Sequence, residues 1–193
     1  MLPLEPTARP AGSVRSTRLQ DVIDAATAVL DADGAEALTM RRLADELGMR
    51  APSLYKHVRD KATLEAALIE DALFDLGDAL HAALAHPGPE GVVASVLQTY
   101  RTRSLDVPNR YRLATSGRLR RDLLPECLEE WAGQPFFFAA EADEYRSQAL
   151  WSLAHGMVIL EIDGRYPEGS DLDQTWTAAA AAFGSPVRIA PGP

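Results

Sequence analysis

The stretch that most constrains the fold is residues 38–61, LTMRRLADELGMRAPSLYKHVRDK. Its pattern predicts two short helices separated by a sharp turn. Leu43 and Leu47 are four residues apart and therefore share one helical face. Gly48 is expected to end the first helix, because glycine enters the left-handed conformation without a Cβ penalty. Pro52 then lies in the first turn of the second helix, where a missing backbone N–H costs nothing.

In the second helix, Leu54 and Val58 are again four residues apart and are expected to face the core. Two helices joined by a short turn with glycine form the helix-turn-helix, whose second helix enters the major groove of DNA. We expect Thr39 to cap the first helix with its hydroxyl, whereas Arg50–Ala51 provides no good side-chain cap for the second. The side chains left facing outward are Ser53, Tyr55, Lys56 and His57.

A helix over Ser16 to Asp33 is expected to complete a three-helix domain, because two short helices alone bury too little apolar surface. Its apolar residues recur at helical spacing, and Gly34 closes it. These apolar residues are Leu19, Val22, Ile23, Ala26 and Leu30.

The net charge of −9 is distributed unevenly along the chain. Residues 1–61 contain nine Lys/Arg and nine Asp/Glu, whereas residues 62–193 contain ten and nineteen, so the negative charge lies entirely in the second part. Phosphate contacts dominate nucleic-acid affinity, so a locally basic face is sufficient for DNA binding by an acidic protein. The basic residues of the motif are Arg41, Arg42, Arg50, Lys56, Arg59 and Lys61.

The motif resembles the tetracycline-repressor (TetR) family of bacterial transcriptional regulators. The resemblance rests on SerLeuTyrLysHisVal at 53–58, AspLys at 60–61, LeuThr at 38–39 and AlaXaaXaaLeuGly at 44–48, and it extends over roughly Thr17 to Leu68. It implies an all-α protein of about nine helices. An N-terminal three-helix helix-turn-helix domain would be joined by a long helix to an α-helical ligand-binding and dimerisation domain.

The resemblance also implies which side chains contact DNA. Tyr55, His57 and Lys61 would mainly hold phosphates and set the register. Arginine, lysine or serine at other positions would read base edges, with arginine and lysine favouring guanine. Ala51 departs from relatives with a polar residue there and offers only apolar contact, so the operator sequence cannot be transferred. The implied contacts are Thr39, Arg41, Arg50, Ala51, Pro52, Ser53, Tyr55, Lys56, His57 and Lys61.

We expect four segments: a flexible tail at 1–15, a DNA-binding domain at 16–63, a ligand-binding and dimerisation domain at 64–184, and a second flexible tail at 185–193. Basic residues of the first segment and the following turn are candidates for phosphate or minor-groove contact, with an ordinary exposed tail as the alternative. They are Arg9, Arg15 and Arg18.

Beyond the motif the sequence predicts helices and no strand or repeat. Asp60 is expected to cap a long helix that starts at Lys61 and ends at HisProGlyPro, 86–89. Pro125 is expected to distort the start of the helix over 120–131, and GlyGlnPro at 133–135 to break that helix. The later helices are predicted over 90–105, 108–116, 120–131, 141–162 and 171–183.

TrpSerLeuAlaHisGly at 151–156 resembles the Trp-His-Gly signature of one branch of this family's regulatory domains. Trp151 and His155 share a helical face, and Gly156 allows close approach of another helix. Core packing of Trp151 and a hydrogen-bonded, buried His155 are the alternatives to ligand contact. The candidate lining of an apolar or aromatic effector pocket is Tyr100, Tyr111, Trp131, Phe137, Trp151, His155 and Met157, each of which core packing would also explain.

The resemblance implies a homodimer formed by the helices at 141–162 and 171–183, with one recognition helix for each half of a palindromic operator. It favours a repressor released by a small effector. A transcriptional activator, a helical protein-binding dimer without DNA function, and an enzyme remain alternatives. The four histidines have no metal-ligand spacing, no GlyXaaSerXaaGly motif exists, and Cys127 is the only cysteine. We therefore expect no enzyme activity, metal or cofactor.

No apolar run reaches the roughly 18 residues of a membrane span, and the N-terminus lacks the apolar region of a signal peptide. We therefore expect a cytoplasmic bacterial protein that associates with the nucleoid when bound to DNA.

Overall fold

The computed structural model describes residues 7–184, which contain nine α-helices, one 3-10 helix and no strand. This confirms the predicted all-α fold class. The α-helices are α1 (Thr17–Asp33), α2 (Met40–Glu46), α3 (Ala51–Leu54), α4 (Lys61–Ala85), α5 (Val92–Asp106), α6 (Pro108–Thr115), α7 (Leu128–Ala139), α8 (Glu144–Ile162) and α9 (Leu172–Gly184), with the 3-10 helix at Arg121–Leu123.

The chain divides into two compact units. The first unit comprises Ala8–Leu76 and Asp106–Trp131. The second comprises residue 7, residues 77–105 and residues 132–184 of the described part. α6 therefore belongs to the same unit as the helix-turn-helix, although about 30 residues separate the two parts of that unit. The division by function into DNA-binding and ligand-binding domains stays a prediction.

The first unit has an apolar core beneath the two-helix motif. Leu43, Ala44, Leu54 and Val58 are all buried, as the spacing of the motif predicts. They pack with the stripe of α1, with the start of α4 and with Leu113 of α6. Burying a leucine or valine side chain contributes about 1.5–3 kcal/mol. Because α2 and α3 share this core, a change in the angle between them would expose part of it.

The helix predicted over 120–131 and its break at 133–135 are both wrong. Cys127 has a left-handed backbone with φ of 61°, so the helix cannot continue through it and starts at Leu128. The helix then passes through Pro135. Proline removes one backbone hydrogen bond there, but the neighbouring Phe136 and Phe137 are buried, and their burial outweighs that loss.

Residues 8–15 also differ from the loose tail that we expected. The backbone N–H and the hydroxyl of Ser13 both donate to the buried carboxylate of Glu70, at 2.7 and 2.8 Å. Arg15 is paired with Glu70 and with Asp71 on α4. The guanidinium of Arg9 lies 4.1 Å from the ring centroid of Phe74. Hydrogen bonds, ion pairs and a cation–π contact therefore connect this segment to α4. Residues 1–6 and the predicted tail at 185–193 lie outside the described residues.

Candidate DNA-binding surface

Thr39 sets the start of α2. Its hydroxyl accepts a hydrogen bond from the backbone N–H of Arg42 at 3.2 Å, which satisfies one of the free donors at the helix N-terminus. This confirms the predicted cap. The side chain is thereby oriented by the helix end, and Thr39 remains exposed at the edge of the motif.

The turn after α2 depends on Gly48, whose φ of 60° is in the left-handed region. The N–H of Met49 donates to the carbonyl of Ala44 at 2.8 Å, and the N–H of Gly48 donates to that of Asp45 at 3.1 Å. These bonds close the helix end in the manner of a glycine C-cap. The chain then reverses direction at the position that the sequence predicts.

α3 is short, and it starts without a side-chain cap at Arg50, as expected. Pro52 lies in its first turn. The regular helix ends at Leu54, but turns continue, because the N–H groups of His57 and Val58 both donate to the carbonyl of Leu54, at 2.9 and 3.1 Å. Residues 51–58, which we call the recognition segment, are therefore about two turns long.

The outer face of this segment is polar and accessible. Tyr55 keeps 51% of its surface exposed, which is unusual for an aromatic side chain that has no partner surface. Lys56 and His57 next to it are exposed, as are Arg50 and Pro52. Ala51 and Ser53 are half-buried. The structure thus brings these predicted contact residues onto one side of a single turn-helix segment.

Three of the six basic residues in the motif are engaged within the described residues. Arg42 is paired with Asp33 and Glu46, and Lys61 is paired with Glu65. Arg59 is paired with Asp60. Within residues 7–184, Arg41, Arg50 and Lys56 have no such acidic partner. These three cations are the ones available to phosphates or bases without breaking an ion pair.

Asp60 ends the recognition segment and starts α4. Its carboxylate accepts hydrogen bonds from the backbone N–H and the hydroxyl of Thr63, both at 2.8 Å. These bonds and the Arg59 side chain lower the pKa of Asp60 from 3.8 to about 2. This confirms the predicted cap and places Lys61 at the first position of α4, with its side chain partly exposed.

The candidate effector-binding residues divide between the two units. Tyr111 and Trp131 belong to the first unit and are buried there. In the second unit, Tyr100, Phe137 and Met157 are buried, and the ring of Tyr100 meets that of Phe136 edge-on at 5.2 Å between centroids. Core packing therefore explains these five residues in the described structure. Their role in ligand binding stays a prediction.

Trp151 differs from the alternative of plain core packing, because 44% of its surface is exposed on α8. Its indole stacks on the imidazole of His155, with 5.7 Å between ring centroids. Partial burial lowers the pKa of His155, because desolvation disfavours the charged imidazolium. A β-carbon on Gly156 would meet nothing within 4 Å inside the chain, so the side of α8 at this glycine is open.

Two features of the first unit carry no local sequence signal that would have predicted them. The arginines of the loop between α6 and the 3-10 helix lie beside the start of α4, and Arg110 is paired with Asp31 of α1. Both depend on which distant segments pack together.

In the described part of the chain, no group of three or more His, Cys, Asp or Glu is placed to hold a metal ion. Each helix between residues 7 and 184 is too short or too polar to cross a bilayer.

Comparison with known proteins places this surface in a family. The family model for bacterial regulatory proteins of the tetR family matches residues 22–68, which contain the two-helix motif. The uncharacterized HTH-type transcriptional regulator Rv0681 of Mycobacterium tuberculosis is 29% identical over 166 residues, which span 81% of this chain and 74% of that protein. Tetracycline repressor protein class E of Escherichia coli is 49% identical over 55 residues, which span 28% of this chain and 26% of the repressor.

Two solved structures have the same fold over most of the chain. The multidrug binding protein EbrR, complexed with imidazole, has a TM-score of 0.62 at 18% identity, covering 92% of this chain and 97% of that one. BioQ, with its double-stranded DNA operator, has a TM-score of 0.57 at 20% identity, covering 87% of this chain and 98% of that one. The similarity thus extends from the motif through the later helices. Residues 22–68 match the tetR family of bacterial regulatory proteins, and the comparisons together support a DNA-binding transcriptional regulator of this family rather than an enzyme.

Proposed function

We propose that this regulator is a repressor that binds a palindromic operator as a homodimer and is released by a small effector. The observation that carries the DNA-binding part is the exposed segment Arg50–His57, with Arg50 and Lys56 lacking an acidic partner among the described residues. Tyr55, His57 and Lys61 hold phosphates, and Arg41, Arg50, Ser53 and Lys56 contact base edges. Thr39, Ala51 and Pro52 complete the surface. The protein then works in the cytoplasm, at the nucleoid when it is bound to DNA.

The proposed dimer interface is the open side of α8 together with α9. Large apolar side chains are exposed there, and apolar patches of this kind on a protein surface mark interaction sites. α9 adds small exposed residues, among them Ala178 and Ala181, over which a partner helix can pack closely. The large exposed apolar side chains on the Gly156 side of α8 are Tyr145, Leu153 and Leu160.

A two-fold dimer supports operator binding because each subunit supplies one recognition segment to one half-site. The operator complex of BioQ and the tetracycline repressors support DNA as the partner of this fold. EbrR with bound imidazole supports a small molecule as the effector. We propose that the effector is apolar or aromatic and that candidate residues of the second unit bind it, namely Tyr100, Phe137, Trp151, His155 and Met157. Such a ligand releases DNA only if it has a higher affinity for the conformation that does not bind DNA than for the conformation that does.

The first experiment is binding of the purified protein to the DNA upstream of its own gene, measured by fluorescence anisotropy over a salt series. The Lys56→Ala/His57→Ala variant tests the surface, and Arg165→Ala is the control, because Arg165 is an exposed basic residue outside the motif. We expect selective binding by the wild type and the control, with a steep fall as salt rises, and loss of binding by the double variant. Equal binding by all three proteins would contradict the proposed surface.

If the wild type does not bind the upstream DNA, the operator is sought by selection from a pool of random duplexes. Failure of that selection would contradict the proposed role. Effector candidates are then tested by their ability to release the selected duplex, with an aromatic compound series as the first probe.

A further inference from the structure

The loop after α6 concentrates positive charge in an acidic part of the chain. Residues 118–121 contain Arg118, Arg120 and Arg121, three of the ten Lys/Arg found beyond Lys61, where nineteen Asp/Glu are present. These four loop residues and Asp122 line one open hollow of about 430 Å³. Three arginines and one aspartate therefore border the same hollow.

This loop faces the start of α4 across a groove of about 120 Å³. Leu119 of the loop and Leu124 after the 3-10 helix line the groove on one side, and residues of α4 line it on the other. The α4 residues are Ala62, Glu65, Ala66 and Ile69. Ala62 directly follows Lys61, the last residue of the proposed DNA-binding surface. Loop, α4 start and helix-turn-helix all belong to the first unit, and Arg118 and Arg120 line the groove beside the start of α4.

The charges of the loop are available to a polyanion. Arg118 is exposed and forms no ion pair within residues 7–184, although Asp122 lies within electrostatic range of it. Arg120 is paired with Asp122 and Arg121 with Glu129, but the two arginine side chains are 55% and 67% exposed. Exposed pairs of this kind are weak because water screens them, so a phosphate can replace the carboxylate at little cost. Asp60 acts electrostatically on Arg120, so the loop lies within range of the charges at the end of the recognition segment.

We propose that the loop 118–121 binds backbone phosphates of the DNA that flanks each half-site, next to the phosphate held by Lys61. This inference rests on the proposed DNA-binding function and extends its surface to a segment outside the helix-turn-helix. The contacts are to phosphate and carry no sequence information, so they add affinity and salt dependence rather than specificity. Arg118 makes the principal contact, because it is in no ion pair that DNA binding would have to break.

A small organic anion fits the loop less well. Pockets for drug-sized ligands occupy about 300–1,000 Å³ and bury most of the ligand, whereas the groove between loop and α4 is smaller and the larger hollow is open. DNA needs no enclosure, since its phosphates are bound at exposed surfaces.

The test compares two duplexes of the selected operator. One contains only the base pairs protected by the helix-turn-helix, and the other carries about ten further base pairs, one helical turn, on each side. Wild type, Arg118→Ala, Arg118→Glu and the control Arg165→Ala are titrated against both duplexes over a salt series. We expect Arg118→Ala to weaken binding to the long duplex several-fold and to lower the slope of log K against log salt by about 0.9 for each phosphate that the protein no longer neutralises. Arg118→Glu weakens binding further, and neither variant changes binding to the short duplex.

The inference is overturned if Arg118→Ala and Arg118→Glu bind the long duplex with the affinity and salt slope of the wild type. It is also overturned if they weaken binding to both duplexes equally, since the contact would then not be to flanking DNA. Failure of the wild type itself to bind any selected duplex is a different result and contradicts the proposed function as well. Circular dichroism melts check folding, which an exposed arginine that forms no ion pair among the described residues is not expected to affect.

Discussion

Arg110 on α6 is paired with Asp31 in the last turn of α1, and its Nε donates to Oδ1 of that carboxylate at 2.8 Å. This hydrogen bond raises the pKa of Arg110 above its usual value. The adjacent Asn109 donates from Nδ2 to the backbone carbonyl of Asp31 at 3.1 Å. α6 therefore holds the C-terminal end of α1, which packs beneath the helix-turn-helix.

We expect Arg110→Ala to lower the free energy of unfolding by about 1 kcal/mol, because a bidentate arginine–carboxylate pair that is partly exposed has this value. Asp31→Asn removes the same interaction, so the double variant loses less than the sum of the two single losses. Urea denaturation of the four proteins measures this coupling. Strict additivity would show that the pair contributes nothing.

Gly48→Ala tests the turn of the motif. At φ of 60° an L-residue is strained, and the cost is about 1–2 kcal/mol. A β-carbon would meet nothing within 4 Å, so the loss is due to backbone strain and not to a clash. Gly48→Asn is the matched control, since asparagine tolerates the left-handed region better than alanine. Thermal melting should rank the wild type above Gly48→Asn and that variant above Gly48→Ala, and the opposite order of the two variants would contradict the strain.

Asp60 gives the protein a pH dependence at acid pH. Its folded-state pKa of about 2 lies below the value of 3.8 expected in the unfolded chain. The stabilisation by its charge is therefore complete above pH 3.8 and is lost as the pH falls toward 2. We expect the Tm difference between wild type and Asp60→Asn to be constant from pH 7 to 5 and to shrink below pH 4. A Tm difference that stays constant below pH 4 as well would show that the charge of Asp60 is not stabilising.

Arg15→Ala should destabilise the fold more than an exposed arginine would. The side chains of Arg15 and Glu70 are only 12% and 4% exposed, so the substitution leaves a buried carboxylate with Ser13 as its remaining hydrogen-bond donor. We expect a loss of about 2 kcal/mol. Adding Glu70→Gln removes the unpaired charge, so the double variant should recover part of the loss in urea denaturation. No recovery would mean that packing of the arginine stem, not charge, is responsible.

Leu160→Asp tests the proposed dimer. Leu160 is 43% exposed on α8, so the change is tolerated in a monomer but places a charge in an apolar interface. We expect sedimentation to show a monomer and operator affinity to fall at least tenfold, since the two half-sites are no longer bound together. Val14→Asp introduces the same charge at a fully exposed valine outside α8 and α9 and should remain dimeric. A dimeric Leu160→Asp protein would place the interface elsewhere.

The sequence by itself determined the helix-turn-helix, because every signal there is local. Thr39 and Asp60 cap helices whose N–H groups lie three residues away, and Gly48 closes the turn next to it. Leu43, Leu54 and Val58 are buried at the positions that helical spacing requires. The all-α class follows from the same periodicity. The identity of the effector-binding residues was not determined, because buried core and ligand wall have the same apolar composition.

Only the tertiary structure decided the features that join distant segments. Ser13 and Glu70 are 57 residues apart, and Arg110 and Asp31 are 79 apart, so no local pattern connects them. Burial also overruled local preference at Pro135, which would end a helix in water but lies within α7 beside buried aromatic rings. The physical reason is the same in each case. Hydrogen bonds within a turn depend on neighbours in the sequence, whereas burial and ion pairs depend on which surfaces the complete fold brings together.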